Sequence, residues 1–353
     1  MGHRPLRLGG RFPSVLKSPL PPLFQRGETR AEVLPPLKKG GRGDFSGASI
    51  ARWLVQPDSE YSMLAQFLQF LFSGVTVGAI YALAALGFTL IYNASHVINF
   101  AQGEFIMIGG MLTWAFVDAG LPMPLAVALA IAVAALVGML VVRLAIEPAK
   151  GADVVGLIII TIGVSLVIRG LAQVWLGKET HSVAAFSTSE PIAVLGASLL
   201  PQSLWVLGVT GAVVAALWWF FARTILGKAI LATAFDSLAA RLVGINTRLV
   251  LYLSFALSAA LGALGGILVA PITMTSYDVG IMLGLKGFVA AVLGGLGSGL
   301  GAVVGGIIVG LMEAMAAGYI SSAYKDAVPF LLILAILFFL PRGLFGAKVT
   351  ERV

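Results

Sequence analysis

The stretch Arg223–Arg248, RTILGKAILATAFDSLAARLVGINTR, separates two apolar runs at 203–222 and 249–270. It holds four basic residues, Arg223, Lys228, Arg241 and Arg248, against the single acid Asp236. Apolar segments of membrane length joined by a basic polar loop read as two crossings with the loop in the cytoplasm, because cytoplasmic loops keep an excess of Lys and Arg. The loop also carries signals of local structure. Asp236 is suited to an N-cap, Ser237 to Val243 supplies one or two helical turns, and Gly244 fits the C′ position, where the backbone turns left-handed. A short helix presented on such a loop equips a membrane protein to engage a soluble partner. An ordinary solvated loop is the plainer alternative.

Composition extends this reading to the whole chain. Of 353 residues, 59% are hydrophobic and 11% charged, with a mean hydropathy of +0.98. Soluble domains carry roughly 25% charged residues, so the fold class expected is an all-α, polytopic integral membrane protein. The 43 glycines suit close helix packing in lipid, where small residues let backbones approach. The chain has no cysteine, which excludes disulfides and thiolate metal sites. Its net charge of +7 is concentrated at one end: residues 1–62 hold ten of the 23 Lys/Arg and five of the 16 Asp/Glu. The apolar body keeps only a small surplus, and nothing in it suggests nucleic-acid binding.

Residues 1–62 are rich in Pro, Gly and Arg and lack the continuous apolar core of a signal peptide. The expectation is a disordered basic N-terminal extension. Its pieces PPLFQRGE and PPLKKGGRGDF resemble translated intergenic repeat DNA of some bacterial genomes, which suggests a start codon assigned too early and a working protein that begins near Met63. A genuine basic regulatory tail is the competing reading. The unit from 63 to 353 is expected to form the membrane domain.

Apolar spans fall at about 64–91, 103–118, 123–142, 154–176, 203–222, 249–270, 280–293, 302–319 and 326–340. Eight or nine crossings fit, and 280–293 has the length of a re-entrant or half-membrane helix, which is tolerated only where protein or water covers its backbone. With nine spans, nine Lys/Arg fall on the side of the 223–248 loop and only Lys178 and Lys325 on the other. The C-terminus is therefore expected in the cytoplasm. The same count puts the basic N-terminus outside, so either the tail is not made or one early span is miscounted. The longest external segment, 177–201, contains His181, which reads as a solvated histidine.

No catalytic constellation is present. The histidines are His3, His96 and His181 alone, too few and too scattered for a His-rich metal site. The glycines from 294 to 306 are not followed by a Lys-Ser/Thr pair at P-loop spacing, so any ATP hydrolysis belongs to another chain. Neither a cofactor nor a metal is expected. Two motifs stand out instead. In Asn93–Phe105, NASHVINFAQGEF, the polar residues Asn99, Gln102 and Glu104 interrupt an apolar pair of spans. Such groups are costly in lipid and tend to face a cavity or another subunit, with a plain interfacial turn as the alternative. In Lys286–Met315 the glycine pairs 301/305 and 306/310 read as packing faces, while Lys286 and Glu313 are ions inside spans. Lys286 either snorkels to the headgroups or turns inward to a carboxylate, Glu313 or Asp278.

INFAQGEF at 98–105, GKAILATAFDSLAARLVGIN at 227–246, KGFVAAVLGGLGSGLGAVVGG at 286–306 and PRGLFG at 341–346 together resemble the permease family of branched-chain amino acid ABC importers, most of all its H-type subunit. The resemblance spans essentially all of 63–353. It implies a subunit of the bacterial inner membrane that pairs with a second permease, two ATP-binding subunits and a periplasmic substrate-binding protein. The loop 223–248 would then couple to the ATPases through Gly227, Lys228, Asp236, Arg241 and Gly244. Asn99, Gln102, Glu104, Lys286 and Glu313 would serve translocation or packing. One departure is Leu231, where the family often has Arg, which removes a charge from the loop. The alternatives are the same machine for urea, amides or other amino acids, and a self-sufficient secondary transporter or channel.

Overall fold

The computed structural model describes residues 59–149, 151–187 and 190–346. The disorder expected of the N-terminal extension therefore lies outside the described residues. Helices dominate, each broken where glycine, proline or polar runs occur: α1 (Ser59–Ser95), α2 (Gln102–Asp118), α3 (Met123–Val141), α4 (Val154–Leu176), α5 (Pro201–Arg223), α6 (Ile225–Phe235), α7 (Ser237–Leu242), α8 (Thr247–Thr273), α9 (Val279–Gly294), α10 (Gly299–Tyr319) and α11 (Ala327–Phe339). A π-helical turn, Val142–Ile146, extends α3. Among the described residues six helices, those containing α1, α3, α4, α5, α8 and α10, are long and apolar enough to cross a membrane.

The connections lie on two faces, and contacts identify them. On the first face Asn93 donates to the Gly297 carbonyl, Arg248 pairs with Glu147, and the Leu344 and Phe345 amides bond the Leu293 and Gly294 carbonyls. On the second face Gln69 accepts from the Ser198 amide, Phe70 stacks edge-on with Tyr319, and His181 and Thr275 exchange backbone hydrogen bonds. Among the described residues the apolar helices α1–α5 and α8–α11 run between these faces, with 223–248 on the first face and the start of α1 on the second.

The packing follows from the small residues. Helix α1 is the buried axis, covered chiefly by α10, α8, α9 and α5. Along α10, Gly306 and Gly310 lie against Ala82 and Gly78 of α1, while Gly301 and Gly305 lie against Gly294 and Ala290 of α9. The two glycine pairs are offset by five residues, about 140° around a helix of 3.6 residues per turn, so one helix offers close-packing faces to two neighbours. In α3 the buried residues Ala126, Ala130, Ala134 and Gly138 recur every fourth position, and Gly138 sits on Phe255 and Ala259 of α8. Helices α4 and α5 bury almost nothing in this chain.

Three features depart from the sequence reading. The segment 177–201 contains a hairpin, Ile192–Val194 with Ala197–Leu199, closed by Leu195 (φ 50°) and Gly196 (φ 85°). Two consecutive residues with positive φ make the turn whose twist matches a two-residue hairpin. His181 is not merely solvated: its ring stacks on Trp114 with centroids 3.4 Å apart. The 223–248 loop holds two helices, the apolar α6 preceding the short α7.

Helix α9, the expected half-membrane element, has only 16 residues, and α2 has 17. Both start inside the bundle. Residues 96–101 carry the chain inward from the first face, and α2 begins where Gln102 meets Ser258, near the middle of α8. Residues 274–278 carry it inward from the second face, and the backbone of α9 at Gly280 lies against that of Gly103 in the first turn of α2. The two short helices thus start beside one another at depth and run to opposite faces. Each completes a traverse together with its extended lead-in, and neither returns to the face it came from.

Candidate functional site

The start of α2 is built by its own polar residues. Asn99 Oδ1 accepts from the Ala101 amide at 3.1 Å, and the Asn99 carbonyl accepts from Gln102, so Asn99 sets the turn that opens the helix. Gln102 is fully buried and donates to the Ser258 carbonyl at 3.2 Å. The Ser258 hydroxyl lies 2.6 Å from Gln102 Oε1 and 2.8 Å from the Gly87 carbonyl, sharing one hydrogen between them. This links α1, α2 and α8 at one level. Glu104 turns the other way, to α4: its Oε1 accepts from Ser165 at 2.7 Å and from Arg169 at 2.5 Å. The three residues that sequence grouped together therefore serve three different contacts.

Around Glu104 lies a cavity of about 160 Å³. The first turns of α2 (Gly103, Glu104) and α9 (Gly280, Ile281) form its floor, with Phe88, Phe100 and Phe288 as an apolar wall. Glu104 is 1% exposed, yet its second oxygen Oε2 has no partner, and neither has Nε of Arg169. A buried polar atom without a partner is costly, so a lone carboxylate oxygen closed off beside a cavity that its own residue lines suggests a group that comes and goes. Arg169 and Ser165 were missed as site residues. Their signal was an arginine well inside an apolar span.

The second ionic cluster joins α1, α9, α10 and the start of α11. Lys286 is buried and donates to Glu313 Oε1 at 2.7 Å and to Asp326 Oδ1 at 2.6 Å. Tyr81 donates to Glu313 Oε2 at 2.8 Å, and the ammonium lies 5.7 Å from the Tyr81 ring centroid. Lys286 has inward protein partners and does not snorkel. Asp278 is not among them: it stands at the N-cap position of α9, eight residues before the lysine and more than two helical turns away, and its carboxylate accepts from Ser276 at 2.6 Å. Sequence reasoning missed Tyr81 and Asp326.

In the 223–248 loop, Thr224 caps α6 by accepting from the Gly227 amide at 3.0 Å, and Gly227 is buried against the backbone of Phe220 and Phe221. Asp236 caps α7 by accepting from Leu238 (2.8 Å) and Ala239 (3.0 Å), and Gly244 follows with φ 87°. Lys228 and Arg241 are exposed, with Arg241 Nε donating to Thr247 at 3.0 Å. The apolar residues of the tip are exposed as well: Phe235 at 90%, Leu242 at 81% and Val243 at 76%. On the same face Glu147 accepts from Arg248, Tyr252 and Arg143. The bonds from Arg248 chiefly lower its pKa, to about 2. Among the described residues no three His, Cys, Asp or Glu side chains come together to hold a metal.

Comparison with known proteins bears on this arrangement. Residues 70–337 match the family described as the branched-chain amino acid transport system permease component. The chain is 33% identical over 302 residues to the high-affinity branched-chain amino acid transport system permease protein LivH of Escherichia coli K12, covering 81% of this chain and 98% of that one. It is 33% identical over 303 residues, with the same coverage, to the permease protein BraD of Pseudomonas aeruginosa. A more distant relative is the ribose import permease protein RbsC of Escherichia coli K12, 27% identical over 229 residues and covering 64% of this chain and 68% of that one. The matched region takes in the two short inward-starting helices, both ionic clusters and the capped loop. This multi-pass membrane protein belongs to the permease components of branched-chain amino acid transport systems.

Proposed function

We propose that this chain is the membrane-spanning subunit of an ATP-driven importer that carries branched-chain amino acids across the inner membrane of a bacterium, with the 223–248 face in the cytoplasm. Its partners in this reading are two ATP-binding subunits, a second permease subunit and a periplasmic binding protein. The observation that carries it is the tip of the 223–248 loop. Phe235 at the end of α6, and Leu242 and Val243 at the end of α7, are largely exposed around a short helix fixed at its two ends by Asp236 and Gly244. A rigid apolar tip among basic residues needs a protein to cover it, and nucleotide-dependent closure of ATP-binding subunits would drive it.

Motion of α7 has a direct route inward. Arg241 ties α7 to Thr247 at the start of α8, Arg248 ties α8 to the connection after α3, and Ser258 ties α8 to the first turn of α2. Displacing the loop therefore pulls on the helix start beside the Glu104 cavity, and two packings of these helices provide alternating access.

The cysteine-free chain offers a clean test. Leu242→Cys in the assembled transporter is expected to form a cross-link to an ATP-binding subunit, while Leu195→Cys on the opposite face does not. Leu242→Asp is expected to abolish ATP-dependent uptake of L-leucine at unchanged membrane abundance. Full uptake by Leu242→Asp, or cross-linking from Leu195→Cys alone, refutes the assignment.

A further inference from the structure

The cavity at Glu104 has the chemistry of a small zwitterion site. It lies where the first turns of two short helices meet inside the bundle, and the aligned peptide dipoles place partial positive charge at both helix starts. Discontinuous helices whose starts meet at depth are a recurrent way to hold an anionic group within a membrane protein. A helix start alone would be weak grounds. Here it is joined by a buried carboxylate and a guanidinium, each with one unpartnered atom closed off from solvent, on two residues that line the same space. Glu104 and Arg169 share one contact and leave the other side of each ion unsatisfied. The opposite wall is apolar: Phe288 lies 5.7 Å from Phe88 and 5.6 Å from Phe100 between ring centroids.

We propose that this cavity is a transit site for the zwitterion of an aliphatic α-amino acid, a reading that rests on the transport function above. The ammonium donates to Glu104 Oε2 once the carboxylate turns that oxygen from its closed-off position into the cavity. The carboxylate accepts from Arg169 and faces the starts of α2 and α9. The aliphatic side chain lies on the three phenylalanine rings. The volume suits one small molecule, since a dry cavity of roughly 150 Å³ admits benzene. Its two ionic groups each keep one protein partner when the ligand leaves, so the empty site stays folded and releases its cargo readily. That is the property a transit site needs, in contrast to a tight receptor pocket.

The test uses the assembled transporter in lipid nanodiscs and the diazirine amino acid photo-leucine, with labelled peptides identified by mass spectrometry. Labelling is expected in the segments around Phe88–Phe105, Ile162–Arg169 and Gly280–Phe288. An excess of L-leucine should suppress it at least tenfold. Two probes that each lack one charge, 4-methylpentanoate and 3-methylbutylamine, should not. Glu104→Gln keeps the shape and the Ser165 bond, and is expected to cut labelling about tenfold and to erase the preference for L-leucine over 4-methylpentanoate. Arg169→Lys should retain more labelling than Arg169→Gln. Should Glu104→Gln fail to accumulate, competition by the two probes in the wild-type transporter decides alone. Labelling outside these segments, equal suppression by 4-methylpentanoate, or wild-type behaviour of a folded Glu104→Gln overturns the site. Uptake of L-leucine by the same preparation reads the transport assignment separately: uptake with labelling indifferent to Glu104 refutes the site alone, and leucine-specific labelling without uptake refutes the transport assignment alone.

Discussion

Replacing Lys286 by Met removes one ion and leaves two carboxylates without their cation. The two losses are unequal. The Asp326 side chain is 47% exposed, so water replaces the ammonium and that bond contributes about 0–1 kcal/mol. Glu313 is 8% exposed, and breaking a buried pair from one side costs about 3–5 kcal/mol because the remaining charge is stranded. The Tyr81 hydroxyl still donates to Glu313, which offsets part of this and places the expected loss near the bottom of that range, at about 3 kcal/mol. At about 1.4 kcal/mol per factor of ten, the folded fraction under denaturing conditions should fall roughly a hundredfold. The chain's six tryptophans allow an SDS unfolding titration of the purified protein to be followed by fluorescence. Adding Glu313→Gln should recover most of the loss, because the stranded carboxylate is then gone, and the double-mutant cycle reads the coupling directly. Unfolding of Lys286→Met at the wild-type SDS concentration, or a cycle with no coupling, would refute the claim that this lysine is held by Glu313.

Three further outcomes are expected. Gly244→Val places a β-branched residue at φ 87° with nothing within 4 Å of its side chain; the strain of at least about 1–2 kcal/mol is purely backbone, so ATP-dependent uptake should fall sharply while membrane insertion, checked by fractionation, is unchanged. Gly310→Ala drives a methyl into the backbone of Gly78, whereas at Gly208 a methyl meets nothing; the first should destabilise by about 1–3 kcal/mol and the second should leave the SDS midpoint unchanged. Glu147 has its pKa lowered from 4.5 to about 2, chiefly by the Arg248 bonds, so what it adds to stability is complete above about pH 4.5 and is lost as pH falls toward 2; the difference in melting temperature between wild type and Glu147→Gln should be flat from pH 6 to 8 and shrink below 4.5, and a difference that grows with acidification would contradict the sign.

What was legible depended on how far apart the interacting residues lie in sequence. The apolar runs marked the traverses because the membrane demands length and apolarity of each one separately. Asp236 and Gly244 were legible because capping acts over two to four residues, and Leu238, Ala239 and the positive φ at Gly244 lie within that range. The glycines 301, 305, 306 and 310 were recognised as packing residues, but not that they divide between α9 and α1, since the division depends on where the neighbours stand. Helix α6 was missed because Ile225–Phe235 is short and apolar inside a segment otherwise marked as a polar loop.

The ion pairs show where sequence stops and why. Arg169 and Lys286 are the basic residues inside spans, and Glu104 and Glu313 are acids available to them. An ion in lipid must find a partner, and depth decides which acid each cation reaches. Arg169 lies 15 residues beyond the start of α4, about 22 Å along the helix at 1.5 Å per residue. Were α2 an ordinary span starting at the first face, Glu104 in its first turn would lie near that face, far out of reach of Arg169. The pairing exists because residues 96–101 take the chain inward before α2 begins, bringing Glu104 level with the middle of α4. The same geometry brings Gly280 of α9 to Gly103 and closes the cavity floor. A single structural choice, starting two short helices at depth, thus decides which charges meet, where Glu104 lies beside the cavity, and which part of the bundle feels a pull on α8.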